Sequence, residues 1–188
     1  FDKLILATGS VPRKLNVPGG ENVMDEDRAF LLRDPPASMV VIGGGYTGVE
    51  VAQAFGKLGT QVTLITRSKL LDRLNLSEET RKVVLDSLSF DNVDVKEFTE
   101  PRKITQDGRV ETNRGEFKGE VVVTAIGRDP SLPRGVEMLN IGIDKDGVKV
   151  NERMETSNPK VYAVGDVVSK ELKLANVALM EGLTVAAN

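Results

Sequence analysis

The middle of the chain alternates short apolar runs with amphipathic segments. A run beginning at Ser38 predicts a strand that ends in a glycine-rich turn, and the apolar positions that follow predict a helix from about Tyr46 to Leu58. After Gly59 and Thr60, Gln61 to Thr66 reads as a second strand. A β-turn-α-β unit of about thirty residues is a building block of parallel sheets.

Further segments extend this unit on both sides. Asp107-Gly108 and Arg114-Gly115 favour tight hairpin turns, so we expect an antiparallel meander over residues 98–117. Other strands are predicted at 4–7, 93–97, 121–127 and 161–165, and other helices at 25–33, 77–89 and from about 176 onward. The pattern therefore predicts an α/β fold.

The glycine-rich turn has the spacing Gly43-x-Gly45-x-x-Gly48. Alone, this spacing indicates only a tight turn with close helix packing. Between a strand and a helix, with a second strand following, it is typical of dinucleotide binding, because free amides at the helix start receive a pyrophosphate. We therefore expect a Rossmann-like parallel sheet with helices on both faces and an antiparallel β-meander.

The end of the second predicted strand bears on the choice of nicotinamide cofactor. Thr66 stands where an acid would bind the adenosine ribose, and Arg67, Lys69 and Arg73 follow. Loss of the acid removes repulsion of a 2′-phosphate, and guanidinium groups can bind that phosphate, which favours NADPH. A solvated basic loop is the alternative, and the glycine at Gly48 is more often associated with NADH.

Composition limits the chemistry. The 188 residues include no cysteine and no histidine, so we expect no metal site, no thiolate nucleophile and no histidine base. The net charge of −3 argues against nucleic-acid binding. The apolar runs are far shorter than the roughly 20 residues of a membrane helix, and no signal-peptide pattern is found, so we expect a cytoplasmic protein without membrane contact.

Four motifs together resemble the flavoprotein disulfide reductase family, whose members include mercuric reductase, glutathione reductase and lipoamide dehydrogenase. They are ATGSVPR (7–13), VVIGGGYTGVE (40–50), VVVTAIGRDP (121–130) and METSNPKVYAVGDVV (154–168), in the order and approximate spacing of that family. The arginine pair Arg67 and Arg73 resembles the NADPH-using members. The resemblance implies a central portion of a longer enzyme.

The resemblance also implies a division into domains. Residues 1–36 and 121–188 would be parts of an FAD-binding domain, and residues 37–120 would be the NAD(P)-binding domain inserted between them. Asp166 would then hydrogen-bond a ribityl hydroxyl of FAD, and Thr8 and Gly9 would lie beside the FAD cleft. Gly127 would face the nicotinamide cofactor, with Arg128 near the flavin.

Two residues of the glycine turn and its helix are implied to be catalytic. In the family, the tyrosine at the position of Tyr46 covers the flavin and moves away when nicotinamide binds, and the glutamate at the position of Glu50 pairs with a lysine near the reactive flavin nitrogen. The two residues are four apart on one helix face. The alternatives are a partly buried ring and a solvated acid.

These observations predict the NAD(P)H-binding portion of an FAD-dependent oxidoreductase that passes hydride from NADPH to flavin and electrons onward to a disulfide, a dithiol or a metal ion. The alternatives are a flavin-dependent NAD(P)H oxidase or quinone or ferredoxin reductase without a dithiol, and a noncatalytic nucleotide sensor. We expect a small-molecule or disulfide substrate, a homodimeric full-length enzyme, and a monomeric, inactive state for this portion alone.

Overall fold

The computed structural model describes residues 1–170 and 172–188. The chain forms two compact units: Pro12–Gly127, here called the sheet unit, and Phe1–Val11 together with Arg128–Asn188, here called the terminal unit. The sequence prediction placed the inserted domain at 37–120. The sheet unit is larger because strands on both sides of that range join its central sheet. The assignment of cofactors to the two units stays a prediction.

The elements follow one another in short segments. They are β1 (Leu4–Leu6), β2 (Ser10–Pro12), β3 (Met24–Asp25), α1 (Glu26–Ala29), β4 (Ser38–Ile42), α2 (Tyr46–Lys57), β5 (Gln61–Ile65), α3 (Glu78–Phe90), β6 (Val93–Lys96), β7 (Pro101–Ile104), β8 (Arg109–Thr112), β9 (Gly115–Lys118), β10 (Val121–Thr124), β11 (Arg128–Pro130), β12 (Ile143–Asp144), β13 (Gly147–Val148), β14 (Val161–Ala163) and α4 (Ala175–Ala186).

The sheet unit is organised around a five-stranded parallel sheet in the order β3-β10-β4-β5-β6. In the central strands, Val41 is paired with Val123 on one side and with Leu64 on the other. Parallel pairing places the carboxyl ends of these strands at one edge. The expected α/β fold with a parallel sheet is confirmed.

Alternate residues of the central strands enter two different cores. Met39 and Val41 pack with the helices α1, α2 and α3, whereas Val40 and Ile42 pack with the meander β7-β8-β9. The prediction of helices on both faces is therefore wrong in this detail. The physical reason is that the meander residues Ile104 and Val110 supply the apolar cover that a helix would otherwise provide.

Several boundaries differ from the sequence prediction. The helix expected at 25–33 covers only Glu26–Ala29, because Asp25 is its N-cap, accepting a hydrogen bond from the Arg28 backbone amide, and the chain continues as turns. The strand expected at 121–127 ends at Thr124, before Gly127 adopts a φ of +107°. The helix α3 begins as predicted, with the Ser77 hydroxyl accepting from the Thr80 amide at 3.2 Å.

The terminal unit has a smaller framework. Strands β1 and β14 form a parallel pair that joins Leu6 to Ala163, and β12 and β13 form an antiparallel pair. Its apolar core includes Val148, Val161 and Val167. None of the described helices in either unit is long and apolar enough to cross a membrane.

Candidate functional site

The glycine turn joins β4 to α2, and two of its glycines are required by close backbone contacts. Gly43 has a φ of +129°, and a Cβ atom added there would lie 2.2 Å from the Ala125 carbonyl oxygen. A Cβ atom on Gly48 would lie 1.8 Å from the Gly43 carbonyl oxygen. Gly43 therefore permits the turn, and Gly48 permits the helix to begin directly against it.

The third glycine, Gly45, is in a different environment. It is the N-cap of α2 in ordinary extended backbone, and a Cβ atom there would meet no atom within 4 Å in the part of the chain that the structure describes. No side chain of the described residues caps this helix. The first backbone amides of this twelve-residue helix therefore have no side-chain acceptor among the described residues, and the glycine beside them borders open space. Such an arrangement can bind a pyrophosphate.

The turn lies at the position in the sheet where ligands bind in open α/β folds. From β4 the chain proceeds to β5 and β6 on one side, whereas β10, which is later in sequence, is on the other side. The amide of Gly43 donates to the Ile65 carbonyl at 2.9 Å, and the Ala125 amide donates to the Ile42 carbonyl at 2.8 Å. The glycine turn is thus held at the switch point of the strand order.

Thr66 follows β5 directly and is buried beside the glycine turn. Its side chain approaches Gly44 so closely that a Cβ atom on Gly44 would lie 2.4 Å from the Thr66 hydroxyl oxygen. The sequence motif singled out three glycines and missed Gly44. The structure thus places Thr66 at the predicted edge and also gives it a packing role.

The three basic residues after Thr66 are not equivalent. Arg67 and Arg73 are exposed, and neither side chain has a hydrogen bond or ion pair with the residues that the structure describes. Lys69 instead donates to Glu78 at 2.6 Å, and Arg81 also donates to Glu78 at 2.7 Å. These bonds lower the pKa of Glu78 to about 2, with the Lys69 hydrogen bond as the largest cause. Two of the three cations remain available to an anion.

The remaining predicted residues of the sheet unit are near the same edge or on the same helix. Gly127 comes three residues after β10 ends, and its carbonyl accepts from the Arg13 amide at 2.9 Å. Tyr46 is the first residue of α2 and packs against the helix-side core. Glu50 is exposed on the same helix, one turn further along.

In the terminal unit, two of the predicted flavin-site residues, Arg128 and Asp166, are joined by a hydroxyl that the sequence analysis did not single out. Ser10 Oγ donates to Asp166 Oδ2 at 2.8 Å and accepts from Arg128 Nε at 2.8 Å. Gly9 has a φ of +69°, and its carbonyl accepts from the Ser131 amide at 2.9 Å. Thr8 is exposed beside it. The residues Gly9, Ser10, Arg128 and Asp166 thus form one linked region of this unit.

The turn that carries Asp166 is also fixed from the opposite side. The Gly165 amide donates to Glu181 Oε2 at 2.7 Å, and Lys170 Nζ is 2.7 Å from Glu181 Oε1. Lys173 Nζ donates to the Asp166 carbonyl oxygen at 2.7 Å, and burial lowers the pKa of Lys173. An acid on an otherwise apolar helix was the available sequence signal for Glu181, because such an acid requires a polar partner when buried.

The sequence of this chain matches a family model and curated relatives. Residues 1–182 match the family model described as pyridine nucleotide-disulphide oxidoreductase. Dihydrolipoyl dehydrogenases of Bacillus subtilis and Thermus scotoductus are 32% and 37% identical over 100% and 98% of this chain, and the alignment covers 42% of each relative. The chain therefore spans about two fifths of the length of these curated relatives.

A solved structure shares the fold at lower sequence identity. It is an engineered water-forming NADPH oxidase bound to NADPH. The engineered protein is a mutant of the water-forming NADH oxidase from Lactobacillus brevis. The engineered protein superposes with a TM-score of 0.85 at 23% identity, covering 100% of this chain and 46% of its own.

Proposed function

The chain belongs to the pyridine nucleotide-disulphide oxidoreductase family, and on that basis we propose that it is the NADPH-binding portion of an FAD-dependent oxidoreductase. The sheet unit binds the nicotinamide dinucleotide. The terminal unit contributes part of the FAD site. Hydride transfer from NADPH to flavin is the chemistry that the two cofactors supply when bound.

The observation that carries this proposal is the glycine turn at the switch point of the sheet. Gly43 and Gly48 are required by the backbone, whereas Gly45 is not, since a Cβ atom there would meet no atom of the described residues within 4 Å. A glycine that the protein does not need for its own packing is explained by a ligand that approaches its backbone. The uncapped amides of α2 fit a pyrophosphate at that position.

The arginine pair supports NADPH over NADH. Arg67 and Arg73 are exposed and without partners among the described residues, and no acid stands at Thr66. In the engineered NADPH oxidase, an aspartate of the natural oxidase is replaced by alanine. The first residue after that aspartate is replaced by arginine, the second by serine and the seventh by arginine. Thr66, Arg67, Ser68 and Arg73 have the same spacing.

The same engineered protein also has a glycine-to-alanine change 18 positions before that aspartate. Counting back from Thr66 gives Gly48, where this chain keeps glycine. Alanine there would require α2 to shift away from the Gly43 carbonyl oxygen. The chain thus has the arginines of the engineered NADPH oxidase and the glycine of the natural NADH oxidase. The arginines favour NADPH more strongly than the glycine favours NADH, because their side chains would contact the 2′-phosphate directly.

The terminal unit fits a hydroxyl-bearing part of FAD. Asp166 uses Oδ2 for Ser10, and its Oδ1 has no hydrogen-bond partner among the described residues. A free carboxylate oxygen accepts a hydroxyl proton of the ribityl chain. Thr8, Gly9 and Arg128 complete this side of the site. Tyr46 shields the nicotinamide position and Glu50 orients a lysine supplied by another part of the protein.

The proposed electron acceptor is a disulfide, which two electrons and two protons convert to a dithiol, or a metal ion. Curated relatives at 30% identity or more carry the names dihydrolipoyl dehydrogenase, trypanothione reductase and glutathione reductase, each of which names a sulfur-containing substrate. The 188 residues contain no cysteine, so a redox-active cysteine pair would have to come from outside them. We further propose a homodimeric, cytoplasmic full-length enzyme.

Replacement of Gly45 by alanine tests the nucleotide site. The added methyl group has room in the protein, so the thermal midpoint should stay unchanged, but it would occupy the space through which a pyrophosphate approaches. NADPH titration followed by nicotinamide fluorescence should show a dissociation constant raised about tenfold, a loss of about 1.4 kcal/mol in binding. Gly182→Ala, also at an open position, is the matched control. Unchanged NADPH affinity in Gly45→Ala would contradict the assignment.

The acceptor is tested with the full-length protein. NADPH consumption should require lipoamide or a glutathione-type disulfide and should be slow with oxygen alone. Fast consumption with oxygen and no disulfide reduction would favour the oxidase alternative. NADPH binding without any turnover would favour the nucleotide sensor.

A further inference from the structure

The Ser10 hydroxyl occupies a central position in a directed chain of hydrogen bonds within the terminal unit. Arg128 Nε donates to Ser10 Oγ at 2.8 Å, and Arg128 Nη2 donates to the Ser10 carbonyl oxygen at 3.1 Å. Ser10 Oγ in turn lies 2.8 Å from Asp166 Oδ2. Ser10 and Asp166 are separated by 156 positions in sequence, so only the fold brings them together.

The chemistry of the three groups fixes the direction of these bonds. A guanidinium has donors and no acceptor, so Arg128 must donate to the hydroxyl oxygen. The single hydroxyl proton of Ser10 is then left for Asp166, which accepts it at Oδ2. Because this bond occupies Oδ2 and sets the plane of the carboxylate, Oδ1 is presented with its lone pairs directed to a second donor.

We propose that Ser10 is a positioning residue for the FAD site, and that Arg128 acts through it by setting the direction of its proton. The ligand group recognised is a hydroxyl of a polyol chain, which donates to Asp166 Oδ1. This inference rests on the proposed function, because it assigns the polyol to the ribityl chain of FAD. It gives Ser10 a role that the sequence motifs ATGSVPR (7–13) and METSNPKVYAVGDVV (154–168) did not assign to it.

The backbone of the Asp166 turn does not depend on Ser10. The Gly165 amide is held by Glu181 and the Asp166 carbonyl by Lys173, each at 2.7 Å. Loss of the Ser10 hydroxyl should therefore release the carboxylate side chain while the turn stays in place. A variant at Ser10 consequently separates ligand positioning from folding.

The experiment compares Ser10→Ala and Ser10→Thr in the full-length flavoprotein. FAD dissociation constants are measured from the recovery of flavin fluorescence on dilution, and the KM for NADPH is measured in parallel. We expect Ser10→Ala to weaken FAD binding about tenfold with an unchanged KM for NADPH, because a hydrogen bond to a charged group is lost. Ser10→Thr retains the hydroxyl and should restore FAD affinity to within about twofold, whereas the loss should recur in Arg128→Gln at about threefold.

Ser169→Ala is the matched control, since Ser169 Oγ also donates to a carboxylate of the terminal unit, Asp144, at 2.8 Å. It should leave FAD affinity unchanged. Equal FAD affinity in Ser10→Ala and the unsubstituted protein would overturn the inference while leaving the proposed function intact. Failure of Ser10→Thr to restore binding would also overturn it. An unsubstituted protein that binds NADPH but no FAD would instead refute the flavin part of the proposed function.

Discussion

The two compact units are stabilised in different ways. The sheet unit has five parallel strands with apolar cores on both faces, and its candidate site is formed largely by one continuous stretch from β4 to the residues after β5. The terminal unit has two-stranded pairs, an apolar core around Val148, and a candidate site assembled from residues 9–10, 128 and 166. Local sequence therefore defines the first site, whereas long-range polar contacts define the second.

The helices show the same contrast. Helix α2 buries apolar residues such as Val51, Ala52 and Phe55. Helix α4 buries Glu181, while Leu179, Met180 and Leu183 are each more than half exposed. Helix α4 thus depends on a buried ion pair, whereas helix α2 depends on apolar packing.

The largest effect is expected for Gly43→Ala in the sheet unit. The substitution combines an unfavourable φ of +129° with a contact of 2.2 Å to the Ala125 carbonyl oxygen, so the free energy of unfolding should fall by about 4 kcal/mol. Gly9→Ala in the terminal unit has a positive φ but no such contact and should cost about 1 kcal/mol. Urea denaturation of both variants measures the difference. Equal losses would refute the backbone-contact explanation.

The second effect is expected in the terminal unit. Glu181→Ala leaves the Gly165 amide and Lys170 without their partner in a largely buried position and should reduce the free energy of unfolding by about 3 kcal/mol. Each unit contains one of the two tyrosines, Tyr162 in the terminal unit and Tyr46 in the sheet unit. With Tyr46 replaced by phenylalanine, the fluorescence of Tyr162 alone follows unfolding of the terminal unit in urea. Destabilisation seen only in a Tyr162→Phe background would contradict the prediction.

A smaller effect is expected for ligand affinity in the sheet unit. Arg67→Glu with Arg73→Glu should weaken NADPH binding about thirtyfold and leave NADH binding within about twofold, because only NADPH carries the 2′-phosphate. The matched control is Arg102→Glu with Arg114→Glu, which reverses two exposed charges in the meander of the same unit. Equal losses for NADPH and NADH would remove the arginines from the phosphate site.

The smallest effect concerns Lys69. The pKa of Glu78 is lowered from 4.5 to about 2, so the pair with Lys69 contributes fully above about pH 4.5 and is lost as the pH falls towards 2. At pH 7, Glu78→Gln should free Lys69 and raise NADPH affinity about twofold, an effect that salt should remove. Glu79→Gln makes the same charge change, has no lysine partner among the residues that the structure describes, and should have no effect. Unchanged NADPH affinity in Glu78→Gln would show that Lys69 does not reach the phosphate.

Most of the sheet unit could be predicted from sequence. Strand β4, the glycine turn, α2 and β5 follow from apolar periodicity and glycine spacing within a segment of 28 residues, Ser38–Ile65. The meander was also predicted, but its position over one sheet face was not, because hairpin turns specify pairing between neighbouring strands and not what the hairpins cover. The contact between Gly44 and Thr66 was missed since it depends on the distance between two loops.

The terminal unit was less predictable. The two-residue strands β12 and β13 carry too little periodicity to be recognised. Ser10 was missed because its hydrogen bonds reach residues more than a hundred positions away, which no local pattern encodes. Asp166, Arg128, Thr8 and Gly9 were found only through resemblance to a family, and their roles stay predictions.

One backbone hydrogen bond joins the two ends of the sheet unit. The Arg13 amide and the Gly127 carbonyl are 2.9 Å apart, so the polypeptide enters and leaves the sheet unit at the same point. A domain whose two ends lie close together can be inserted into a loop of another domain without changing the separation of that loop's ends. Residues 12–127 are consequently a natural choice for expression as an autonomous module, for exchange between relatives, or for replacement by a short glycine-rich tether.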